Sequence, residues 1–124
     1  MPAKRILIID DEADIREVVA MALECSSVEV IAAGGGRAGV SAALEHLPDL
    51  ILLDVMMPEL DGPSTFGLLQ ESDATRAIPV IFLTAKVQAA DCRKLTALGA
   101  LGIIAKPFDP MRLAEEIGAL AGWS

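Results

Sequence analysis

Short apolar segments alternate with segments of helical periodicity along the whole chain, and this alternation constrains the fold more than any other feature. Five apolar segments predict strands, at residues 5–9, 28–32, 50–53, 79–83 and 101–105. Five segments with apolar residues three and four positions apart predict helices, at residues 15–23, 40–47, 63–72, 88–98 and 110–120. Because crossovers between parallel strands are right-handed, this strict alternation places helices on both faces of one parallel sheet.

Local signals support these strand and helix assignments. Leu50–Leu53 contains no polar residue and predicts a central strand, whereas Glu29 interrupts the second strand and predicts an edge position. Gly99 predicts the end of the fourth helix, and Asp109 followed by Pro110 predicts the cap and first turn of the fifth. The sequence therefore predicts a doubly wound α/β fold of the flavodoxin-like class, with strand order 2-1-3-4-5.

Length, charge and cysteine content limit the classes of protein to which this chain can belong. Its 124 residues predict one domain, spanning residues 1–124. The net charge of −8 argues against a nucleic-acid surface, which needs clustered Lys and Arg. No apolar segment reaches the roughly 18 residues of a membrane span, and the N-terminus does not resemble a signal peptide, so we expect a cytoplasmic protein that binds no membrane. Cys25 and Cys92 lack metal-binding spacing and are expected to be free, buried thiols.

Charged and hydroxyl side chains stand at the ends of four predicted strands. Asp10 and Asp11 follow the first strand, Asp54 the third, Thr84 the fourth and Lys106 the fifth. The carboxyl ends of parallel strands meet at one edge of the sheet, so these groups are expected to converge. Crowded carboxylates without His or Cys favour Mg²⁺ or Mn²⁺, and one carboxylate can then accept a phosphoryl group as a nucleophile.

Taken together, the four strand ends resemble the receiver (CheY-like) domain of two-component response regulators. The motifs that carry the resemblance are Asp10-Asp11, the segment Asp54–Gly62, Thr84-Ala85 and Lys106-Pro107-Phe108. Each motif is weak alone, but their order and their positions at strand ends make the combination specific. The resemblance spans the chain from Lys4 to about Ala121. It implies a signalling domain that is phosphorylated on an aspartate and that catalyses only its own phosphorylation and dephosphorylation.

The resemblance also implies a role for each residue at these strand ends. Asp54 would be the phosphoacceptor, and Thr84 and Lys106 would contact the phosphoryl group. The Lys106–Pro107 peptide bond would be cis. Four residues would form the Mg²⁺ site, the last of them acting through a water molecule: Asp11, Asp54, Met56 through its backbone carbonyl, and Asp10.

Partners are implied by the same resemblance. The phosphoryl group would come from a sensor histidine kinase or a phosphotransfer protein. An unidentified output protein would bind the face formed by the fourth helix, the fifth strand and the fifth helix, and the loop 84–87 would transmit the change. No DNA-binding or enzymatic segment follows Ala121, and the start at Met1 and the short tail favour a complete single-domain regulator. The alternative is a receiver that is part of a larger protein.

Three other functions compete with phosphoacceptor signalling. A degenerate receiver would bind partners independently of phosphorylation, but the acceptor, the acidic pair, the Thr and the Lys are all present. A small Mg²⁺-dependent phosphatase of the haloacid-dehalogenase type needs a second catalytic Asp two residues after the nucleophile, where this chain has Met56. Residues 34–39 match the G-x-G-x-x-G dinucleotide motif, but the chain lacks a second mononucleotide-binding half. These glycines are therefore expected to form a flexible turn.

Four positions outside the strand ends carry further expectations. Receivers usually have Tyr or Phe three residues before the Lys, where this chain has Ile103. Because Ile is β-branched and has few rotamers, we do not expect Ile103 to transmit a change at Asp54 to the output face as an aromatic ring would. In the loop after the acceptor, Asp61 is expected to form a tight turn that Gly62 relieves. His46, the only histidine, is expected to be solvated at the end of the second helix.

Overall fold

Five parallel strands form one sheet in the order β2-β1-β3-β4-β5, as predicted. The computed structural model describes residues 4–85 and 88–123. The strands are β1 Lys4–Ile9, β2 Val28–Ala33, β3 Leu50–Asp54, β4 Val80–Thr84 and β5 Gly102–Ala105. The helices are α1 Ala13–Leu23, α2 Gly36–His46, α3 Gly62–Glu71, α4 Asp73–Arg76, α5 Ala89–Ala97 and α6 Leu113–Ala121.

Helices cover both faces of the sheet, so alternate side chains of each strand enter two separate cores. On one face, Ile51 and Phe82 belong to a buried cluster that includes residues of α2, α3 and α5. On the other face, Leu52 belongs to a cluster that includes residues of α1 and α6. β3 and β4 are buried along their whole length, and their apolar residues therefore run without interruption. β2 lies at an edge with Glu29 exposed, as predicted.

The register of the strands places the functional candidates side by side. β1 and β3 are paired at their last apolar residues, so Asp10 and Asp54, which follow those residues, lie at neighbouring positions. β4 and β5 are paired at Thr84, so Lys106 follows immediately beyond it. The backbone pairing thus brings the four strand ends to one edge of the sheet.

The helices are short, and two helical turns were not predicted. The one-turn helix α4 follows α3, and a 3₁₀ turn, Glu24–Ser26, follows α1. Turns of three or four residues are too short for helical periodicity to reveal them. The Thr75 hydroxyl of α4 donates to the carbonyl of Leu69 at 2.6 Å, so this turn satisfies a carbonyl near the end of α3. Within the described residues, no helix is both long enough and apolar enough to cross a membrane.

The last helix begins later than predicted. α6 begins at Leu113 rather than at Pro110. Oδ1 of Asp109 accepts the N–H of Met111 at 2.9 Å, and its carbonyl accepts the N–H of Arg112 at 3.0 Å. These bonds close a separate turn before the helix, so the prediction that Asp109 caps the helix was wrong.

Predictions for two polar residues away from the strand ends need adjustment. The thiol of Cys92 is free, as predicted, but it is only partly buried on α5. The side chain of Cys25 lies outside the part that the structure describes.

His46 ends α2, as predicted, but Arg5 contacts it. Nη1 of Arg5 donates to the His46 carbonyl at 2.7 Å, and Nη2 of Arg5 lies 3.2 Å from the ring Nδ1 of His46. The histidine is therefore part of a strand-to-helix contact rather than simply solvated.

Candidate functional site

A partly buried lysine bridges two buried aspartates at the carboxyl edge of the sheet. Nζ of Lys106 donates to Oδ2 of Asp10 at 2.9 Å and to Oδ1 of Asp54 at 3.0 Å. Asp10 is 0% exposed and Asp54 is 3% exposed. Since buried charges are tolerated only when they are paired, the ammonium group is what allows two carboxylates to share this interior position.

The surroundings of Asp54 make its carboxyl group unusual. Burial raises the pKa of Asp54 to about 6, and the neighbouring charge of Asp10 adds to this rise. Hydrogen bonds from Lys106 and from the N–H of Met56 act in the opposite direction. Burial also lowers the pKa of Lys106, but its hydrogen bonds to the two aspartates outweigh burial and raise the pKa above the usual value. The site therefore holds a cation beside a carboxylate that is costly to ionise, a combination found at functional sites.

An acidic group opens from this pair towards solvent. One carboxylate oxygen each from Asp10, Asp11 and Glu12 lies within 4.8 Å of the others, and Asp11 and Glu12 are exposed. Within the described part of the chain, this group does not include Asp54, which contacts Lys106 instead. Glu12 was not predicted as a site residue. The run of three consecutive acids was the available signal, and only its first two members were used.

Thr84 and Met56 lie beside the end of β3. Thr84 is buried at the end of β4, and its carbonyl accepts the N–H of Lys106 at 2.9 Å. The side chain of Met56 is 62% exposed. Together with Val55 and Leu95, these two residues line a largely apolar cavity of about 350 Å³ next to the site. The β3–α3 connection therefore combines a polar backbone near the carboxylate with an apolar outer surface.

Asp61 and Gly62 fix the connection after β3, but not in the predicted way. Oδ1 of Asp61 accepts the N–H of Ser64 at 2.8 Å, so Asp61 caps α3 rather than forming a simple turn. A Cβ atom at Gly62 would lie 2.5 Å from the carbonyl oxygen of Asp54 and 2.8 Å from Cα of Val55. Glycine is needed here because α3 begins against the backbone at the end of β3, not because of an unusual turn.

The glycine-rich segment 34–39 is also built for close packing. A Cβ atom at Gly39 would lie 2.5 Å from the side chain of Ile9 in β1, and one at Gly36 would overlap the hydroxyl of Thr65 in α3. Both glycines belong to α2. The prediction of a flexible turn was therefore wrong for these two positions, which let α2 approach the sheet and α3.

The remaining predictions concern the output side of the site. The Lys106–Pro107 peptide bond is cis, as predicted. Ile103 is partly buried and packs against the core cluster that contains Phe82 and Leu95. Lys86 and Val87 of the predicted output loop lie outside the described residues, so only Thr84 and Ala85 of that loop are placed.

Comparison with known proteins agrees with this geometry. Residues 6–118 match the family model of the response regulator receiver domain. The chain belongs to this family. Receiver domains are the signalling domains of two-component systems rather than conventional enzymes, and the fold class and strand order predicted from the sequence are those of this receiver.

Similar proteins cover nearly the whole chain. The phosphate regulon transcriptional regulatory protein PhoB of Pseudomonas aeruginosa is 38% identical over 120 residues, which is 97% of this chain and 52% of PhoB. A probable transcriptional regulator, ycf27, of Cyanophora paradoxa is 41% identical over 118 residues, 94% of this chain and 48% of that protein. This receiver thus spans about half the length of these relatives.

Solved structures of similar proteins share the fold over the same extent. The chemotaxis protein CheY4 of Vibrio cholerae superposes with a TM-score of 0.89 at 27% identity, covering 95% of this chain and 98% of CheY4. The receiver domain of a signal transduction histidine kinase from Syntrophus aciditrophicus gives a TM-score of 0.84 at 32% identity, covering 97% and 91% of the two chains. The receiver fold is thus matched in solved chains of nearly the same length.

Proposed function

We propose that this receiver accepts a phosphoryl group on Asp54, from a sensor histidine kinase or a phosphotransfer protein, in a reaction that needs Mg²⁺. The observation that carries the proposal is the position of Asp54, which is 3% exposed at the end of β3 with Oδ1 3.0 Å from Nζ of Lys106. A buried carboxylate with a raised pKa beside a cation suits nucleophilic attack better than a solvated surface role. The receiver would then catalyse only its own phosphorylation and dephosphorylation.

Three groups around Asp54 are suited to hold the phosphoryl oxygens. Lys106 can transfer one hydrogen bond from Oδ1 of Asp54 to a phosphoryl oxygen and keep the other, of 2.9 Å, to Asp10. The N–H of Met56 lies near enough to the Asp54 carboxylate to lower the pKa of Asp54. Thr84 stands at the end of the neighbouring strand. Since phosphoryl transfer depends mainly on positioning and charge stabilisation, these groups supply the protein's share of the chemistry.

The acidic residues fit a hard divalent cation. Carboxylate oxygens of Asp10, Asp11 and Glu12 lie within 4.8 Å of one another, and a donor set made only of oxygen is typical of Mg²⁺ or Mn²⁺. We infer that Asp11, Asp54 and the carbonyl of Met56 would hold the ion. Asp10 would act one layer further out, because both of its carboxylate oxygens already accept hydrogen bonds. When bound, the ion would supply positive charge to the phosphoryl oxygens.

We infer that phosphorylation changes partner binding at the face formed by α5, β5 and α6. Leu98, Leu101 and Leu120, which lie in or beside these elements, are 48%, 40% and 37% exposed. Exposed apolar side chains on these elements favour a protein partner, and the net charge of −8 disfavours nucleic acid. We further propose that residues 1–124 act in the cytoplasm as a single receiver domain that binds neither nucleic acid nor membrane.

Acetyl phosphate tests the phosphoacceptor without knowledge of the kinase. In the expected reaction, a carboxylate oxygen of Asp54 forms the new bond to phosphorus and acetate leaves. Intact mass should increase by one phosphoryl group in the parent with Mg²⁺, and should not increase in EDTA or in Asp54→Asn. Asp73→Asn is the matched control, since this exposed aspartate pairs with Arg76 in α4 and lies away from the site. Phosphorylation of Asp54→Asn, or none in the parent, would contradict the proposal, and the second result would favour a phosphorylation-independent binding module.

A further inference from the structure

Asp10 is held through its backbone as well as through its side chain. Its N–H donates to the carbonyl of Ala33 in β2 at 3.2 Å. Its two carboxylate oxygens accept from the N–H of Glu12 and from Lys106, both at 2.9 Å. Its carbonyl oxygen accepts from Nη1 of Arg16 at 2.8 Å. Arg16 thus provides a hydrogen-bond partner for the backbone carbonyl of this buried residue, which the contacts of its N–H and its carboxylate do not satisfy.

Arg16 reaches this carbonyl from the first turn of α1. Its N–H donates to the carbonyl of Glu12 at 3.2 Å, so its side chain starts one turn along the helix and folds back over the β1–α1 connection. A Cβ atom at Gly34 would lie 3.4 Å from Nη1 and 3.7 Å from Cζ of Arg16, so the guanidinium is seated between Asp10 and the end of β2. The arginine is half-buried and in a defined place, unlike a freely solvated surface side chain.

Fixing the Asp10 carbonyl also fixes the residue that follows it. The carbonyl of Asp10 and the N and Cα atoms of Asp11 belong to one planar peptide unit. A hydrogen bond that holds the carbonyl therefore restricts where the N and Cα atoms of Asp11 lie, and the Asp11 side chain leaves the backbone from that Cα atom. Asp11 itself is exposed, so its position depends more on this peptide plane than on packing of its side chain.

We propose that Arg16 is a positioning residue for the Mg²⁺ site, which it serves by orienting the Asp10–Asp11 peptide. The inference rests on the proposed function, because it assumes that Asp11 binds the ion. The change in Mg²⁺ affinity that we expect when Arg16 is replaced is opposite in sign to the change expected from loss of its charge alone. A cation near a Mg²⁺ site repels the ion, so removing the charge alone should tighten binding, whereas removing the positioning contact should weaken it.

Isothermal titration of the metal-free full chain with MgCl₂ separates the two effects. Arg16→Met removes the charge and the hydrogen bond, and Arg16→Lys keeps the charge and can still donate to the carbonyl. The matched control is Arg37→Met, because Arg37 is exposed and lines the same cleft as Asp11. Urea unfolding in EDTA reports separately on stability. Arg16→Gln, a neutral but polar replacement, is measured as well in case Arg16→Met folds poorly.

Arg16→Met and Arg16→Gln should raise the Mg²⁺ dissociation constant about 5- to 10-fold, with Arg16→Lys within ~3-fold of the parent. Arg37→Met should bind Mg²⁺ as well as the parent, or more tightly. Unchanged or tighter binding in both neutral Arg16 variants would overturn the inference and leave the proposed function standing if Asp54→Asn still blocks phosphorylation. A parent that binds no Mg²⁺ would overturn both.

Discussion

Nζ of Lys106 and Oδ1 of Asp54 are 3.0 Å apart although the two residues are separated by 52 positions in the chain. The contact closes the sheet edge between β3 and β5, across the end of β4. It joins a lysine whose pKa is raised to an aspartate whose pKa is also raised, so burial outweighs the favourable contact at the aspartate but not at the lysine. Ionisation of Asp54 therefore costs free energy in the folded protein, and the contact with Lys106 reduces this cost.

Replacement of Lys106 should show how far the stability of the protein depends on pairing the buried aspartates with a cation. Lys106→Met should destabilise the metal-free protein by about 2–4 kcal/mol at neutral pH, because Asp10 and Asp54 would remain buried without a cation. Urea unfolding in EDTA measures the change. In an Asp54→Asn background the same replacement should cost less, because only one buried carboxylate would then lose its partner. Lys94→Met, at an exposed position on α5, is the control, and a loss equal to that of Lys106→Met would contradict the prediction.

The raised pKa of Asp54 predicts a pH-dependent effect of its removal. The pKa of Asp54 is about 6 in the folded protein against 3.8 for a free aspartate, so the contribution of Asp54 to stability falls as the pH rises between these values. Asp54→Asn should therefore be more stable than the parent above pH 6, by on the order of 1–3 kcal/mol, and should match it near pH 4. Urea unfolding in EDTA across this pH range gives the difference. If the difference is the same at all pH values, burial of the charge is not its cause.

The fold was predictable because its signals are periodic and local. β3 was predictable as a central strand because Leu50–Leu53 contains no polar residue, and β2 as an edge strand because Glu29 interrupts it. The structure buries β3 along its whole length and exposes Glu29. The convergence of Asp54 and Lys106 was predictable as well, because parallel topology alone brings strand ends to one edge. These inferences needed no knowledge of side-chain packing.

Other features depend on contacts that a linear sequence does not encode. Gly39 approaches Ile9 closely, and Gly62 approaches the end of β3, only once the helices pack against the sheet. Arg16 contacts Asp10 through a carbonyl, for which no side-chain pattern exists. The Asp109 side chain could have capped the last helix or closed a turn before it. Its hydrogen bond from the N–H of Met111 shows that it closes the turn.

Asp11 and the metal give a third prediction. Asp11→Ala should weaken Mg²⁺ binding by at least tenfold while leaving stability in EDTA equal or slightly higher, because an exposed member of a crowded acidic group is removed. The structure supports this expectation, since the N-cap position of α1 is occupied by Glu12 rather than by Asp11. Thermal unfolding with and without Mg²⁺ checks both parts. A clear drop of the midpoint in EDTA would indicate that Asp11 is mainly structural.

The output side gives the last prediction, that the response to phosphorylation does not need a rotamer change at Ile103. Ile103 is partly buried against the cluster that contains Phe82 and Leu95, and a β-branched side chain in such packing has few alternative rotamers. Thr84, by contrast, is the last residue of β4, next to the strand that ends in Asp54, and its hydroxyl can donate to a new acceptor there. A two-state change near Thr84, worth ~1–3 kcal/mol, should then carry the signal to the start of α5.

NMR spectra with and without the phosphate mimic beryllofluoride test this distribution. Large shifts should fall on Thr84, Ala85 and the start of α5, and only small ones on the methyl groups of Ile103. Ile103→Val is the matched variant, because it keeps the branched shape and removes one methyl group, and it should leave the shifts near Thr84 unchanged. A rotamer change at Ile103 as large as the response near Thr84, or loss of that response in Ile103→Val, would mean that an aliphatic side chain couples the acceptor to the output face as an aromatic ring does in other receivers.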